Sequence, residues 1–165
     1  MSGAIVFGNV AIDVHDDLPE AESRAVGAGL EAFNVAAAAL QEVRPLACFA
    51  RLPTGELVGG AIARTWGRCC EVREVWVDEA HRGRGVGSRL VRALEARAAE
   101  RGCRTFYLET WTFQARAFYE RLGYAVHLAI EGHAPGIAKY VMLRDDGEAP
   151  GPPSAPRSGA VSPCD

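Results

Sequence analysis

The residues best placed to do chemistry fall between Val75 and Leu90. Val75-Trp76-Val77 reads as a strand, Arg82-Gly83-Arg84-Gly85-Val86-Gly87 as a glycine-rich turn, and Ser88-Arg89-Leu90 as the opening of a helix. Glycines let a backbone approach a ligand closely, and successive N–H groups can converge on an anion. A helix N-terminus adds positive potential, and Arg82 and Arg84 add full charges. The segment therefore has the makings of a phosphate site. It lacks the Lys-Ser/Thr that follows the last glycine of a Walker A loop. Its G-x-G-x-G spacing also differs from the G-x-G-x-x-G of a dinucleotide fingerprint. The competing reading is a plain turn with solvated arginines.

A second stretch of interest is Ala115 to Tyr124. Ala115, Phe118, Tyr119 and Leu122 recur on one face of a short helix, and Gly123 stops it. On that pattern alone Tyr119 is a core residue.

The elements that position these segments follow from hydrophobic periodicity. Residues 4–12 read as a strand, and residues 19–41 as a helix opened by Pro19 and Glu20. Residues 46–52 and 56–65 flank the hairpin signal Pro53-Thr54-Gly55, and Val72–Val77 completes a meander after Gly67. Val86, Leu90, Val91, Leu94 and Ala98 mark a helix ended by Gly102. Strands follow at Phe106–Thr110 and Tyr124–Ile130, then a loop holding Gly132, Pro135 and Gly136, then a strand near 138–143. The order β-α-β-β-β-α-β-α-β-β predicts an α+β fold, a mixed sheet with helices on both faces.

Composition narrows the function classes. The 165 residues carry 18 Lys+Arg and 21 Asp+Glu, for a net charge of −3, and 48% are hydrophobic. That suits one soluble domain and argues against a protein that coats nucleic acid. The surplus acid sits in the last segment, where Asp145, Asp146, Glu148 and Asp165 face only Arg157. Without that segment, basic and acidic residues are equal in number. Pro, Gly and Ser make up 11 of the residues from Asp145 to Asp165, so residues 145–165 are expected to be a disordered tail after a domain at 1–144. No window has the length of apolar sequence that crosses a membrane. The start of the chain has no basic leader, so a cytoplasmic location is the default expectation. Five scattered cysteines without CxxC spacing give no reason to expect zinc or disulfides, and Cys48 and Cys103 read as small core residues.

Arg82-Gly83-Arg84-Gly85-Val86-Gly87 resembles the Q/R-x-x-G-x-G/A motif of the GNAT (Gcn5-related) N-acetyltransferases. Ala115-Arg116-Ala117-Phe118-Tyr119-Glu120-Arg121-Leu122-Gly123-Tyr124 resembles that family's second signature, A-x-x-x-Y-E-K-x-G-F. The element order matches as well, over about residues 4–144. Leu108 to Ala115, with Pro135-Gly136, looks like a bacterial subgroup whose acceptors are largely unassigned.

The resemblance implies an acetyl-CoA cleft where the fourth and fifth strands splay apart. The pyrophosphate would lie on the N–H groups of Gly83, Arg84, Gly85, Val86, Gly87 and Ser88, with Arg82 and Arg84 beside it. The pantetheine arm would pair along Val75, Trp76 and Val77, and a backbone N–H near Val77 would stabilise the oxyanion. Phe118 would line the same cleft. The family often has Asn seven residues before its tyrosine to hold the cofactor. That position is Thr112 here, with Gln114 nearby as a substitute. Tyr119 stands at the general-acid position, and a phenol of pKa about 10 can protonate a thiolate whose acid has a pKa of about 8.5.

The base is less determined by the resemblance. Glu109, at the end of the fifth strand, is the leading candidate, and Glu71, Glu74 or a water chain are the others. Strand alternation sets Glu71 and Glu74 on opposite faces unless a bulge intervenes. The acceptor would enter opposite the cofactor, near Phe33, Asn34, Trp111 and His133. A neutral body favours a small-molecule amine, with a protein N-terminus or lysine next, and no nucleic acid or membrane partner. A homodimer is a further expectation, because dimers are common in this fold. The alternatives from other classes are a sensor that holds acetyl-CoA without turnover and a module for another phosphate ligand.

Overall fold

Val58, Ala61, Ala63 and Thr65 are buried along a strand whose Ile62, Arg64 and Trp66 face outward. This alternation is the signature of a sheet with one covered face. It belongs to a computed structural model that describes residues 5–7, 9–37 and 40–147. The described residues fall into two units, one running to Leu40 and one beginning at Gln41.

In the first unit, β1 (Ile5–Phe7) and β2 (Val10–Ile12) pair antiparallel, and α1 (Glu20–Ala37) follows. The single strand expected over 4–12 is thus a hairpin. Phe7 pairs with Val10, and the two positions between them are Gly8-Asn9, a pair with two-residue turn chemistry. The N–H and hydroxyl of Ser23 both donate to the Pro19 carbonyl, which fixes the start of α1 at the expected place. The helix stops short of the expected residue 41, and a 3-10 turn occupies Leu40–Glu42.

The second unit holds β3 (Arg44–Arg51), β4 (Leu57–Trp66), β5 (Cys69–Val77), α2 (Val86–Glu100), β6 (Thr105–Trp111), α3 (Arg116–Arg121), β7 (Ala125–Ala134) and β8 (Ile137–Asp145). The strands form one sheet in the order β3-β4-β5-β6-β8-β7. Only β5 and β6 run parallel, joined by the α2 crossover, so the sheet is mixed, as an α+β fold requires. The family's fourth and fifth strands correspond to β5 and β6, the ordinal being raised by the extra hairpin.

One apolar cluster holds this unit together. Leu90, Val91, Leu94 and Ala98 of α2 meet Leu46, Ala61, Ala63, Cys70, Val72, Phe106, Leu108 and Met142 of the sheet. Tyr119 of α3 and Leu122 at its C-terminal cap join the same cluster, so α2 and α3 share one face of the sheet. Cys103 is fully buried and Cys48 packs against the cluster, in keeping with small core residues. The four described cysteines are free thiols.

Two strand features differ from expectation. The segment expected as a loop around Gly132 belongs to β7, which continues to Ala134 and turns through Pro135-Gly136. Gly132 takes φ +88° at a register shift between Ile130 and Ala134, so it accommodates a bulge and does not end the strand. The second feature matters more. β5 and β6 pair only from Cys69–Thr105 to Val72–Leu108 and then separate, which is the splay the resemblance implied. The tail expected over 145–165 lies outside the described residues from 148 onward.

Close approach of β4 to its neighbours depends on Gly59. A Cβ there would meet the Trp76 carbonyl oxygen at 3.0 Å and Leu90 Cδ1 at 3.1 Å, and the carbonyl cannot move aside without breaking the ladder. Gly59→Ala is expected to cost roughly 1–3 kcal/mol through overpacking. Thermal unfolding followed by circular dichroism measures it. A melting temperature equal to that of the native sequence would refute the close-packing account.

Candidate functional site

Where β5 and β6 part, a cavity of about 450 Å3 opens between β5, the start of α2 and α3. Its β5 wall is Val75 and Val77, its α3 wall Ala115, Phe118 and Tyr119, and its rim the loop from His81 to Ser88. The loop is built locally. Asp78 ends β5 by accepting from the Ala80 N–H at 2.9 Å, with His81 Nδ1 at 3.3 Å, which shapes the 3-10 turn Glu79–His81. The His81 hydrogen bond, more than any other contact, holds the Asp78 carboxyl below its ordinary range. Arg82 Nε then donates to the Val77 carbonyl at 3.0 Å, folding its guanidinium back over the strand end.

Gly85 is the N-cap of α2 in the left-handed region, φ +76° and ψ 8°. A side chain there would be strained, and none caps the helix. The first-turn N–H groups therefore receive no capping side chain, and they belong to residues that line the cavity, at the positive end of the helix dipole. Gly87 sits opposite Phe118, where an added Cβ would lie 3.4 Å from Cζ, so the two helices close tightly around the loop. Arg121, on the α3 side, lines the same cavity, and its guanidinium has no ion-pair partner among the described residues.

These features fit a pyrophosphate-bearing donor. The uncapped start of α2 and the side chains of Arg82 and Arg121 line one cavity. β5 beyond Val72 has no β6 partner, leaving its backbone groups on that edge to pair with an extended amide chain.

A second cavity, of about 330 Å3, lies on the other side of the splay. Arg73, Glu74, Trp76, Glu109, Thr110 and Gln114 line it, and Val75, Ala115 and Tyr119 are common to both cavities. Tyr119 thus stands where the two meet. It is 8% exposed, and no group among the described residues hydrogen-bonds its hydroxyl. Burial pushes its pKa above the ordinary tyrosine value. Phe118 and Tyr124 hold its ring edge-on, with centroids 4.9 and 5.9 Å away.

The carboxylates are arranged by a bulge. Ile62 pairs with Glu74 but Ala63 pairs with Val72, so Arg73 is the extra residue. Val72 and Val75 consequently both face the core, while Glu71 and Glu74 share the opposite face. The alternation expected without a bulge is corrected by this insertion. Glu71 is paired with Arg64. Glu109 is 55% exposed at its side chain and is paired with Lys139. Glu74 carries no ion pair or side-chain hydrogen bond among the described residues.

Other expected site residues are dispersed. The Trp76 side chain lines the second cavity and not the first. Arg84, expected beside the phosphates, is exposed and lines neither cavity, because the turn between two positive-φ glycines aims it outward. Thr112, expected to hold the cofactor, lines neither cavity and instead ties the end of β6 to β8. Its hydroxyl accepts from the Ala138 N–H at 2.8 Å, and its own N–H donates to the Ala138 carbonyl at 3.0 Å. Gln114 reaches only the second cavity, where its Oε1 accepts from the Trp111 N–H at 3.1 Å and the Thr110 hydroxyl at 3.3 Å.

Trp111 is half-buried outside both cavities, stacked with Phe113 at 5.9 Å and met edge-on by His133 at 4.8 Å. His133 is a strand residue and not a loop residue. Phe33 and Asn34 lie on α1 in the first unit, and the site above is built from the second unit alone. Sequence reasoning missed His81 and Arg121. For Arg121 a signal existed, since it stands three residues after Phe118 on one helical face.

Among the described residues no helix is long and apolar enough to cross a membrane. Residues 15–124 match the model of the acetyltransferase (GNAT) family. A blasticidin-S acetyltransferase of Streptomyces morookaense is 39% identical over 110 residues, 64% of this chain and 81% of that protein. The crystal structure of an acetyltransferase from Bacillus cereus ATCC 14579 superposes with a TM-score of 0.68 at 23% identity, covering 80% of this chain and 96% of that one. An acetyltransferase of Bacillus anthracis str. Ames, solved in complex with acetyl coenzyme A, shares the fold at 21% identity and a TM-score of 0.54, over 61% of this chain and 62% of that one. The match over most of the described second unit, together with a cavity suited to the donor, makes this chain a member of the GNAT acetyltransferase family, an acyltransferase that takes acetyl-CoA as its donor.

Proposed function

We propose that the chain transfers an acetyl group from acetyl-CoA to a primary amine on a small molecule, with Tyr119 as the general acid. The observation that carries this reading is the position of Tyr119 at the junction of the two cavities with its hydroxyl unengaged. Acetyl-CoA supplies the activated thioester. The Tyr119 hydroxyl holds the proton that the departing sulfur needs, and burial keeps that phenol protonated across the physiological range. A small-molecule acceptor is supported by the size of the second cavity and by the relative that acts on blasticidin S.

Of the carboxylates at the second cavity, Glu74 is the better base. Glu109 is engaged in an ion pair with Lys139, so its carboxylate is not free to meet an incoming acceptor. Glu74 has no such partner and lies on the wall opposite. Trp111 and His133 form an aromatic surface beyond Glu109 and are proposed as outer acceptor contacts. The donor site rests on Arg82, Arg121 and the amides of Gly83 to Ser88.

Thiol release from acetyl-CoA, screened over blasticidin S, other aminated antibiotics, simple amines and peptides, tests the activity. Turnover confined to peptides would overturn the small-molecule assignment. With the best acceptor, Tyr119→Phe is expected to lower kcat on the order of 100-fold or more while acetyl-CoA affinity holds. An unchanged kcat would falsify the acid role.

The two carboxylates separate in the same assay. Glu74→Gln is expected to cost on the order of 100-fold in kcat/KM at neutral pH, and Glu109→Gln several-fold at most. A larger loss from Glu109→Gln reverses the assignment.

Calorimetry with acetyl-CoA reads the donor site. Arg82→Ala and Arg121→Ala are each expected to weaken binding roughly 10- to 100-fold, as loss of a charge-assisted phosphate contact does. Arg84→Ala should bind as the native sequence does. Equal losses at all three positions would mean that the arginines act only through net charge.

A further inference from the structure

Behind the site lies a buried carboxylate that the chemistry above does not use. Glu95 is 3% exposed on α2, on the helix face that enters the core. Its Oε1 accepts from the Tyr124 hydroxyl at 2.8 Å. Its Oε2 lies 2.7 Å from Arg144 Nη1 and accepts from Arg92 Nη1 at 3.1 Å. Arg144, from β8, is itself largely buried. It lies over the rings of Phe106 and Tyr124, at 4.7 and 5.6 Å from their centroids, and donates from Nη2 to Asp146 at 2.8 Å. Every oxygen of Glu95 is thus engaged, and three elements are joined at one point: the helix that begins at the phosphate loop, the sheet, and the segment that leaves α3.

That last segment is the part that reaches the active site. The Tyr124 N–H donates to the Tyr119 carbonyl at 3.1 Å, and the Tyr124 ring meets the Tyr119 ring edge-on. Among the described residues nothing hydrogen-bonds the Tyr119 hydroxyl, so its direction is set by what packs on its ring. Phe118, its chain neighbour, moves with the same short helix. Tyr124 is the ring contact that is anchored elsewhere, through Glu95, to α2. A buried ionic network of this kind is a poor source of net stability, because desolvation offsets the attraction between its charges. Its residues are better explained by what they fix in place.

We infer that Glu95, Tyr124 and Arg144 form a positioning network that sets the Tyr119 ring against the helix carrying the phosphate loop. The network aligns proton donor and donor-binding loop as one rigid body. None of the three touches either cavity. They act through Tyr119, and the inference therefore rests on Tyr119 being the acid.

A double-mutant cycle on kcat tests it, using Tyr119→Phe, Tyr124→Phe and the pair. Rates are read as thiol release from acetyl-CoA with saturating blasticidin S. If that acceptor turns over no faster than water, the slow hydrolysis of acetyl-CoA is read instead, since both reactions expel the same thiolate. Tyr124→Phe keeps the ring and removes only the bond to Glu95. It is expected to lower kcat on the order of tenfold in the native background through misplacement of the acid, with acetyl-CoA affinity unchanged. In the Tyr119→Phe background it should have no further effect.

The same tenfold loss in both backgrounds would overturn the positioning role while leaving Tyr119 as the acid. An unchanged kcat in Tyr124→Phe would do the same. A Tyr119→Phe single variant with native kcat would remove both readings at once, and that result comes from the single variant alone. Should Tyr124→Phe fail to give a folded protein by circular dichroism, Glu95→Met takes its place in the cycle with the same expected pattern. It keeps the length of the side chain and removes the acceptor of the Tyr124 hydroxyl.

Discussion

The structure depends most on one interrupted ladder. β5 and β6 are the only parallel neighbours in the sheet, and they share just four residue pairs before separating after Val72 and Leu108. Parallel strands tied by a helical crossover are ordinarily paired along their length. Here the bulge at Arg73 turns the outer half of β5 while β6 stays bound to β8 as far as Trp111. Everything functional follows from that gap. It exposes a strand edge for the donor, makes the two cavities, and lets α3 drop Tyr119 between them. Because the bulge also resets the alternation, Val75 and Val77 reach the donor side while Glu74 and Trp76 reach the other. One inserted residue therefore decides both the opening and the chemistry of its two walls.

Charge is divided across the same gap. The donor side carries uncapped amides, Arg82 and Arg121, and suits an anion. The other side carries Glu74 and Glu109, with Lys139 compensating the second and Arg73 at the margin. A phosphorylated donor and, on the proposed reading, an ammonium acceptor would each be drawn to a different wall. The separation is local, since the chain as a whole has a net charge of −3. Overall composition says nothing about this short-range polarity, which arises from a few groups lining two adjacent cavities.

Much of the arrangement was legible in the sequence because it is written in local signals. The α2 periodicity, the glycines at both of its ends, and the helical face of Ala115, Phe118, Tyr119 and Leu122 are all near-neighbour features, and each was found in place. What could not be read depends on register. Nothing in Glu71-Val72-Arg73-Glu74-Val75 marks Arg73 as the extra residue, because the bulge is a relation to Ile62 and Ala63 on another strand. Arg84 and Arg82 look alike in the motif, and only the turn geometry turns one inward and the other out. Thr112 sits where a cofactor contact is expected, yet its hydroxyl is taken by Ala138, a partner 26 residues away. Gly132 and Pro135 read as a loop because a bulge and a two-residue turn use the same residue types as a loop does. The hairpin at β1 and β2 was missed on the same kind of evidence, Gly8-Asn9.

In the proposed acid role, the burial of Tyr119 has a cost that the surrounding architecture must absorb. A phenol of ordinary pKa is already a weaker acid than a free thiol by about 1.5 pKa units, so giving its proton to a thiolate is uphill by about 2 kcal/mol, and burial, which raises the pKa further, steepens that step. Acidity therefore cannot be what suits Tyr119 to the role. Placement can: a donor held in line with the sulfur delivers its proton as the bond breaks, when the sulfur's basicity is still developing, and the entropy of finding that geometry has been spent during folding. A group without a hydrogen bond at its reactive atom can only be placed through its ring and backbone. The edge-on contact of Tyr124, and the buried charges that pin Tyr124, are on this view as much a part of the proton transfer as the hydroxyl itself.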